Sequence, residues 1–254
     1  MRVLIWAAEL ARAFWLEVGG EEPFPRGLRR PVRALTLTLE AIPALTAAKA
    51  CRWLESNGIA HGFTGPDRPL RGCLKTQDGH GIIFLDAVDP EDEQRFTLAH
   101  ELAHFLRDYR RPRQRAFQHL GAQARELVDG KRPATPGERL GALLGEVPLG
   151  LHLHLMDRDE QRRPVDWQSM DAEACADCLA FELLAPAEDV YAHRVASETR
   201  KGLENRLVRD YGLPVAQARR YTRQLVGARR SGEPWLAALR ASLRLNSVRQ
   251  SRAP

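Results

Sequence analysis

Arg95-Phe96-Thr97-Leu98-Ala99-His100-Glu101-Leu102-Ala103-His104-Phe105-Leu106 is an apolar run interrupted by three groups that carry chemistry. It contains no Gly or Pro, so it reads as a helix, and apolar residues nearly all round make it a buried one. Residues four apart share a helix face, so His100 and His104 can offer two imidazole nitrogens to one ion. Glu101 stands one position further round, where it can hold a water that the ion activates. His-Glu-x-x-His in this setting points to a zinc peptidase, with His100 and His104 as metal ligands and Glu101 as general base. Upstream, Asp89-Pro90-Glu91-Asp92 reads as the helix start. A capping aspartate is followed by a proline where no donor is needed, then by acids near the positive end of the dipole. The helix is predicted to run to about Asp108.

Two histidines need a third protein ligand and an open position for water. Glu173 supplies the ligand best. It lies in Asp171-Ala172-Glu173-Ala174-Cys175-Ala176-Asp177-Cys178-Leu179-Ala180-Phe181-Glu182-Leu183-Leu184-Ala185-Pro186, a helical pattern that stops near Pro186. Asp177 is four residues further on and shares its face. It is placed to accept the free N–H of a ligating histidine and so orient the ring. Zinc suits these ligands, and manganese is accepted by the same set.

The two segments together resemble the ImmA/IrrE family of metallopeptidases. The family pattern after the first motif is Glu-x-x-Ala-Asn-x-Phe-Ala-x-x-Leu-Leu-Met-Pro. The positions here are Glu173, Ala176, Asp177, Leu179, Ala180, Leu183, Leu184, Ala185 and Pro186, with Asp177 for Asn, Leu179 for Phe and Ala185 for Met. The resemblance covers roughly residues 35 to 190. Gly81-Ile82-Ile83-Phe84-Leu85-Asp86 is similar to the strand that precedes the active helix in this family, a strand expected to receive an extended substrate by edge pairing. The resemblance implies a narrow substrate: a helix-turn-helix repressor, cut to release genes of a stress response or a mobile element.

The interval from about 107 to 170 is long for this family and reads as an insertion. Long loops in compact domains are usually functional or disordered. Leu151-His152-Leu153-His154-Leu155 alternates as a short strand with both histidines on one face. Tyr109, His152 and His154 are the candidates for a donor to the oxyanion. A polar strand face is the other reading of the two histidines.

The 254 residues hold one large domain or two small ones, and the 44% hydrophobic content supports a core. No run of eighteen apolar residues suggests a membrane span. The N-terminal stretch to Arg12 reads as an amphipathic helix rather than a signal peptide, because Glu9 and Arg12 interrupt it. The four cysteines have no scaffold spacing, and Cys175-x-x-Cys178 falls inside the ligand helix as small core residues. A reducing cytoplasm is the expected location.

Charge is unevenly placed. Residues 193–254 hold 14 Lys or Arg against 4 Asp or Glu, leaving that part at +10 and residues 1–192 at −5. Leu203 to Leu225 reads helix, turn with Gly212, and a second helix opened by Pro214, similar to a helix-turn-helix. Arg219, Arg220 and Arg223 would contact nucleic acid or an acidic partner, with two amphipathic helices bearing solvated arginines as the other reading. Another helix is predicted over Pro234 to Leu245. The expected fold is α+β: a mainly helical peptidase core over residues 1–192 with a small twisted sheet beside the active helix, then a basic helical region over 193–254. Within the N-terminal third, a strand or turn is expected at Leu35 to Leu39, a helix from Ile42 to Gly58 and a loop-rich link from Gly62 to Leu74. Two other readings stay open: a DNA-binding regulator whose metal site is structural, and a module that holds its protein partner without cutting it.

Overall fold

The computed structural model describes residues 5–63, 65–121, 125–129, 131, 135, 137, 153–157, 167–195 and 197–230. Strands β1 (Leu37–Ile42), β2 (Leu70–Gln77), β3 (His80–Asp86) and β4 (Leu153–Asp157) form one sheet in the order β1-β3-β2-β4. β2 and β3 make a hairpin across Asp78-Gly79, both at positive φ (54° and 88°), with Gln77 opposite His80. A two-residue turn of this hand matches the natural twist of paired strands. β1 lies parallel to β3, from Leu37 opposite Gly81 to Ile42 opposite Asp86. β4 lies antiparallel on the outer side of β2, with Lys75 opposite Leu153.

This order corrects one expectation. The Gly81 to Asp86 strand has hydrogen-bonded neighbours on both sides, so it has no edge to offer a substrate. Its run Ile82-Ile83-Phe84-Leu85 suits a central strand covered on both faces. Leu74, Ile83 and Leu85 share a core with the active helix. Cys73 and Phe84 pack instead against Leu45, Ala47, Ala50 and Leu54. The last three belong to α3 (Ala47–Ser56), so the sheet lies between α3 and α4 (Glu91–His104). α3 begins later than the sequence suggests, because Ile42 ends β1 and the Thr46 hydroxyl caps the helix by accepting from the Lys49 N–H at 3.2 Å.

Every residue of α4 from Phe96 to His104 is buried. The cap position belongs to Pro90 rather than Asp89 and has no side-chain cap bond; Glu91, Asp92 and Glu93 fill the first turn. α4 ends at His104 and passes into a π-helical turn (Phe105–Arg110) before α5 (Arg111–Leu120) and α6 (Arg125–Val128). α1 (Ile5–Glu17), followed by the short α2 (Arg29–Val32), buries Ala7, Ala11, Phe14 and Trp15, a spacing of one helix face. It packs on α7 (Trp167–Leu184), which also packs on α4. Next come α8 (Ala187–Ala192), α9 (Arg200–Arg209) and α10 (Val215–Arg230). Leu203, Leu207, Leu213, Ala218, Tyr221 and Leu225 join the same core as α4 and α7. Arg95 of α4 donates to the Gly212 carbonyl, at 3.0 Å, in the turn between α9 and α10. The fold is therefore α+β, largely helical, with a small mixed sheet beside the active helix. The helix expected at 234–245 lies outside the described residues. Among those residues no helix is long and apolar enough to cross a membrane.

The packing of α10 helps to bury Glu182. Glu182 is 4% exposed. Burial pushes its pKa up from 4.5 to about 7, against hydrogen bonds from the Ala187 N–H and the Tyr221 hydroxyl. A raised folded-state pKa on an acid means that the native state holds the proton longer than the unfolded one. Its contribution is full below about pH 4.5 and lost as pH rises through about 7. Glu182→Gln removes that loss. The variant should be more stable than the parent at pH 8, by on the order of 1–3 kcal/mol, and nearly equal at pH 4.5. Thermal melts at the two pH values check this, and equal melting at pH 8 would contradict it.

Candidate metal centre

α4 and α7 cross so that three side chains meet. His100 Nε2 and His104 Nε2 are 3.2 Å apart. Glu173 Oε2 lies 3.3 Å from His100 Nε2, and Oε1 lies 3.5 Å from His104 Nε2. A tetrahedral ion bound at about 2.0–2.2 Å separates its ligand atoms by about 3.3–3.6 Å. The three separations, with the two to Glu173 made to different carboxylate oxygens, lie close to that range, so the residues fit a zinc-sized ion. Both imidazoles are buried, while the Glu173 side chain is 35% exposed, so the cluster is open to solvent on one side only.

The far side of each ring explains why the Nε2 atoms converge. His100 Nδ1 faces Asp177 Oδ1 at 3.1 Å, and His104 Nδ1 faces Asp108 Oδ2 at 2.7 Å. A carboxylate accepts, so each Nδ1 carries the proton and each Nε2 presents its lone pair to the cluster. Burial works against charge on His100, but hydrogen bonds to Asp177 and Glu173 outweigh it and push its pKa up to about 9. Asp108 was not identified from the sequence, although it follows His104 by four residues on the same helical path. It lies in the π-helical turn, a feature frequent at functional sites.

Residues 59–129 match a peptidase family M78 model, the IrrE N-terminal-like domain. This stretch is similar to an IrrE N-terminal-like domain. The resemblance read from the sequence is shown over these residues, and the family supports a peptidase. No curated protein matches the chain. The match contains His100, Glu101 and His104 and extends into the interval read as an insertion; Glu173 and Asp177 lie beyond it.

Glu101, inside the matched stretch, is fully buried, 0% exposed. The sheet comes close to it at Gly72 of β2. A Cβ at position 72 would lie 2.5 Å from Thr97 Cγ2 and 3.2 Å from Glu101 Oε1, with the Phe84 carbonyl also at 3.2 Å. Thr97 is a stiff, buried side chain and cannot give way, so a methyl group there displaces α4 or Glu101 itself. In a metal-dependent peptidase built on these residues, Gly72→Ala should lower peptide turnover by about 100-fold, the cost of a displacement near 1 Å. Turnover equal to the parent would show that Glu101 does not depend on this contact.

Other residues expected at the site fall elsewhere. The Tyr109 hydroxyl accepts from the Gly79 N–H at 2.7 Å, in the β2–β3 turn, and the ring packs on Phe105. Neither of these contacts is with one of the three ligands. His152 lies outside the described residues, and His154 sits in β4 opposite Leu74. Arg219 and Arg223 are exposed on α10, whereas Arg220 is paired with Asp177. All four cysteines are free. Burial raises the Cys175 thiol and pushes Cys178 up to about 11, which keeps both from acting as thiolates at neutral pH.

Proposed function

We propose that the chain is a zinc-dependent endopeptidase acting in the cytoplasm, and that its substrate is a helix-turn-helix repressor whose cleavage switches on a stress-response or mobile-element gene set. The observation that carries the zinc reading is the meeting of His100, His104 and Glu173, whose ligand atoms lie within 4.8 Å of one another, with Glu101 next to His100 on α4. His100, His104 and Glu173 would hold the ion. When bound, zinc supplies Lewis acidity that lowers the pKa of water and polarises a carbonyl. Manganese remains compatible with the same ligands.

The chain's own residues do the rest. Asp177 and Asp108 hold the two rings in one tautomer and one orientation. Glu101 accepts the proton of the attacking water and later delivers it to the leaving amine. Gly72 leaves room for that carboxylate. An extended peptide would pair with β4, the strand outside β2 on the sheet's Gly72 side. A purely structural zinc site is closed by four protein ligands. Three ligands gathered among the described residues, one of them partly exposed, favour an open catalytic position.

The test is direct. The purified full chain, loaded with zinc, is incubated with candidate helix-turn-helix repressors encoded near its own gene. Cleavage of one repressor at a defined bond, abolished by a chelator, is the expected result. A repressor held stably and recovered whole would favour a non-cleaving partner module instead.

A further inference from the structure

The carboxylate behind His100 has a second contact that the reaction above does not use. Asp177 is 4% exposed. Its Oδ1 faces His100 Nδ1 at 3.1 Å, and its Oδ2 is ion-paired with the NH1 group of Arg220. Arg220 comes from α10, in the basic C-terminal region. The next residue, Tyr221, seats that helix: its ring stacks on Phe181 of α7 at 4.4 Å between centroids and 8° between planes. Its hydroxyl donates to the Ala185 carbonyl at 3.0 Å, and the Tyr191 hydroxyl donates to the Leu225 carbonyl at 2.7 Å. The placement of α10 therefore does not depend on the Arg220 side chain.

The other ligand shows the same construction. His104 Nδ1 faces Asp108 Oδ2, and Asp108 Oδ1 accepts from Arg107 NH1 at 2.6 Å. Each ligand histidine is backed by a carboxylate whose second oxygen is held by an arginine. Arg107 is the sequence neighbour of its acid. Arg220 instead reaches in from a separate element.

We infer that Arg220 is a positioning residue of the metal centre: by holding Asp177 Oδ2 it fixes Oδ1 on His100 Nδ1, and so aims the His100 Nε2 lone pair at the ion. The inference rests on the metal reading above. Two effects of Arg220 oppose each other. Its positive charge disfavours a nearby cation, but the side chain is 42% exposed and water screens that charge. Orientation acts inside the buried pair, where a carboxylate left without its arginine has no reason to keep its geometry. Orientation should win, so losing Arg220 weakens zinc binding.

The experiment measures zinc affinity of the full-length protein by competition with a chromophoric chelator. The proteins are the parent, Arg220→Met, Arg220→Lys, Asp177→Asn and the Asp177→Asn/Arg220→Met double variant. Arg220→Met should bind zinc about tenfold more weakly, as expected for loss of a group that orients a ligand. Arg220→Lys, which keeps an ion pair, should restore most of that affinity. In the Asp177→Asn background, where no charge needs the arginine, Arg220→Met should add nothing. Melting of the metal-free proteins shows whether each variant is folded. Unchanged or tighter zinc binding by Arg220→Met overturns the inference, as does an equal loss in both backgrounds, which would place the effect in the fold. A parent that binds no stoichiometric zinc overturns the metal reading itself, a result distinct from a parent and an Arg220→Met variant that bind equally well.

Discussion

Glu101→Gln should leave the protein folded and zinc-loaded while lowering peptide turnover by about 10²–10⁴-fold, the usual worth of a positioned general base. The substitution keeps the shape of the side chain, so the close approach of Gly72 and Thr97 is preserved. It removes only the capacity to take a proton. A structural metal site would not register the change, because Glu101 lies outside the three-ligand cluster. The comparison is therefore sharp: unchanged zinc affinity with collapsed turnover assigns Glu101 to the chemistry. Unchanged turnover would remove the general base from the proposed mechanism.

Glu173→Ala should abolish zinc binding at micromolar metal, a loss larger than the roughly 10–100-fold that follows from removing a group behind a ligand. Glu173 is the more demanding test of the ligand set, because it lies outside residues 59–129, beyond the family match. Its carboxylate bridges the two imidazoles through different oxygens, at 3.3 and 3.5 Å. Without it, two histidines remain, and two ligands hold zinc poorly. Stability reports the same loss. Zinc at a hundredfold excess over its Kd should stabilise the parent by about 2.7 kcal/mol, and the variant hardly at all. A variant that is stabilised like the parent would show that Glu173 is a solvated helix residue.

The helical part of the site was legible in the sequence because local spacing decides it. His100 and His104 are four apart, as are Glu173 and Asp177, and a helix puts each pair on one face. Asp108 obeys the same spacing from His104, but it stands where the helix was expected to end and the 107–170 insertion to begin. The π-helical turn at Phe105–Arg110 has no spacing signature that would have announced it. The sheet was less legible. Asp78-Gly79 between two apolar runs is a strong hairpin signal, yet the first of those runs starts at Leu70, inside what reads as a link. The parallel pairing of β1 with β3 joins residues over forty positions apart, as in Leu37 with Gly81, and nothing local encodes it. The central position of β3 did have a signal, its unbroken Ile-Ile-Phe-Leu run, which an edge strand with one wet face would not carry. Arg220 was identified as a basic surface residue. Its partner Asp177 is 43 positions away, and only the tertiary packing of Tyr221 on Phe181 brings the two together.

The most direct test of the zinc centre is X-ray absorption at the zinc edge of the purified full-length protein. One zinc per chain, with nitrogen and oxygen neighbours at about 2.0–2.2 Å and the outer scattering of two imidazoles, is the predicted result. No bound zinc, or a sulfur neighbour at about 2.3 Å pointing to Cys175 or Cys178, would contradict it.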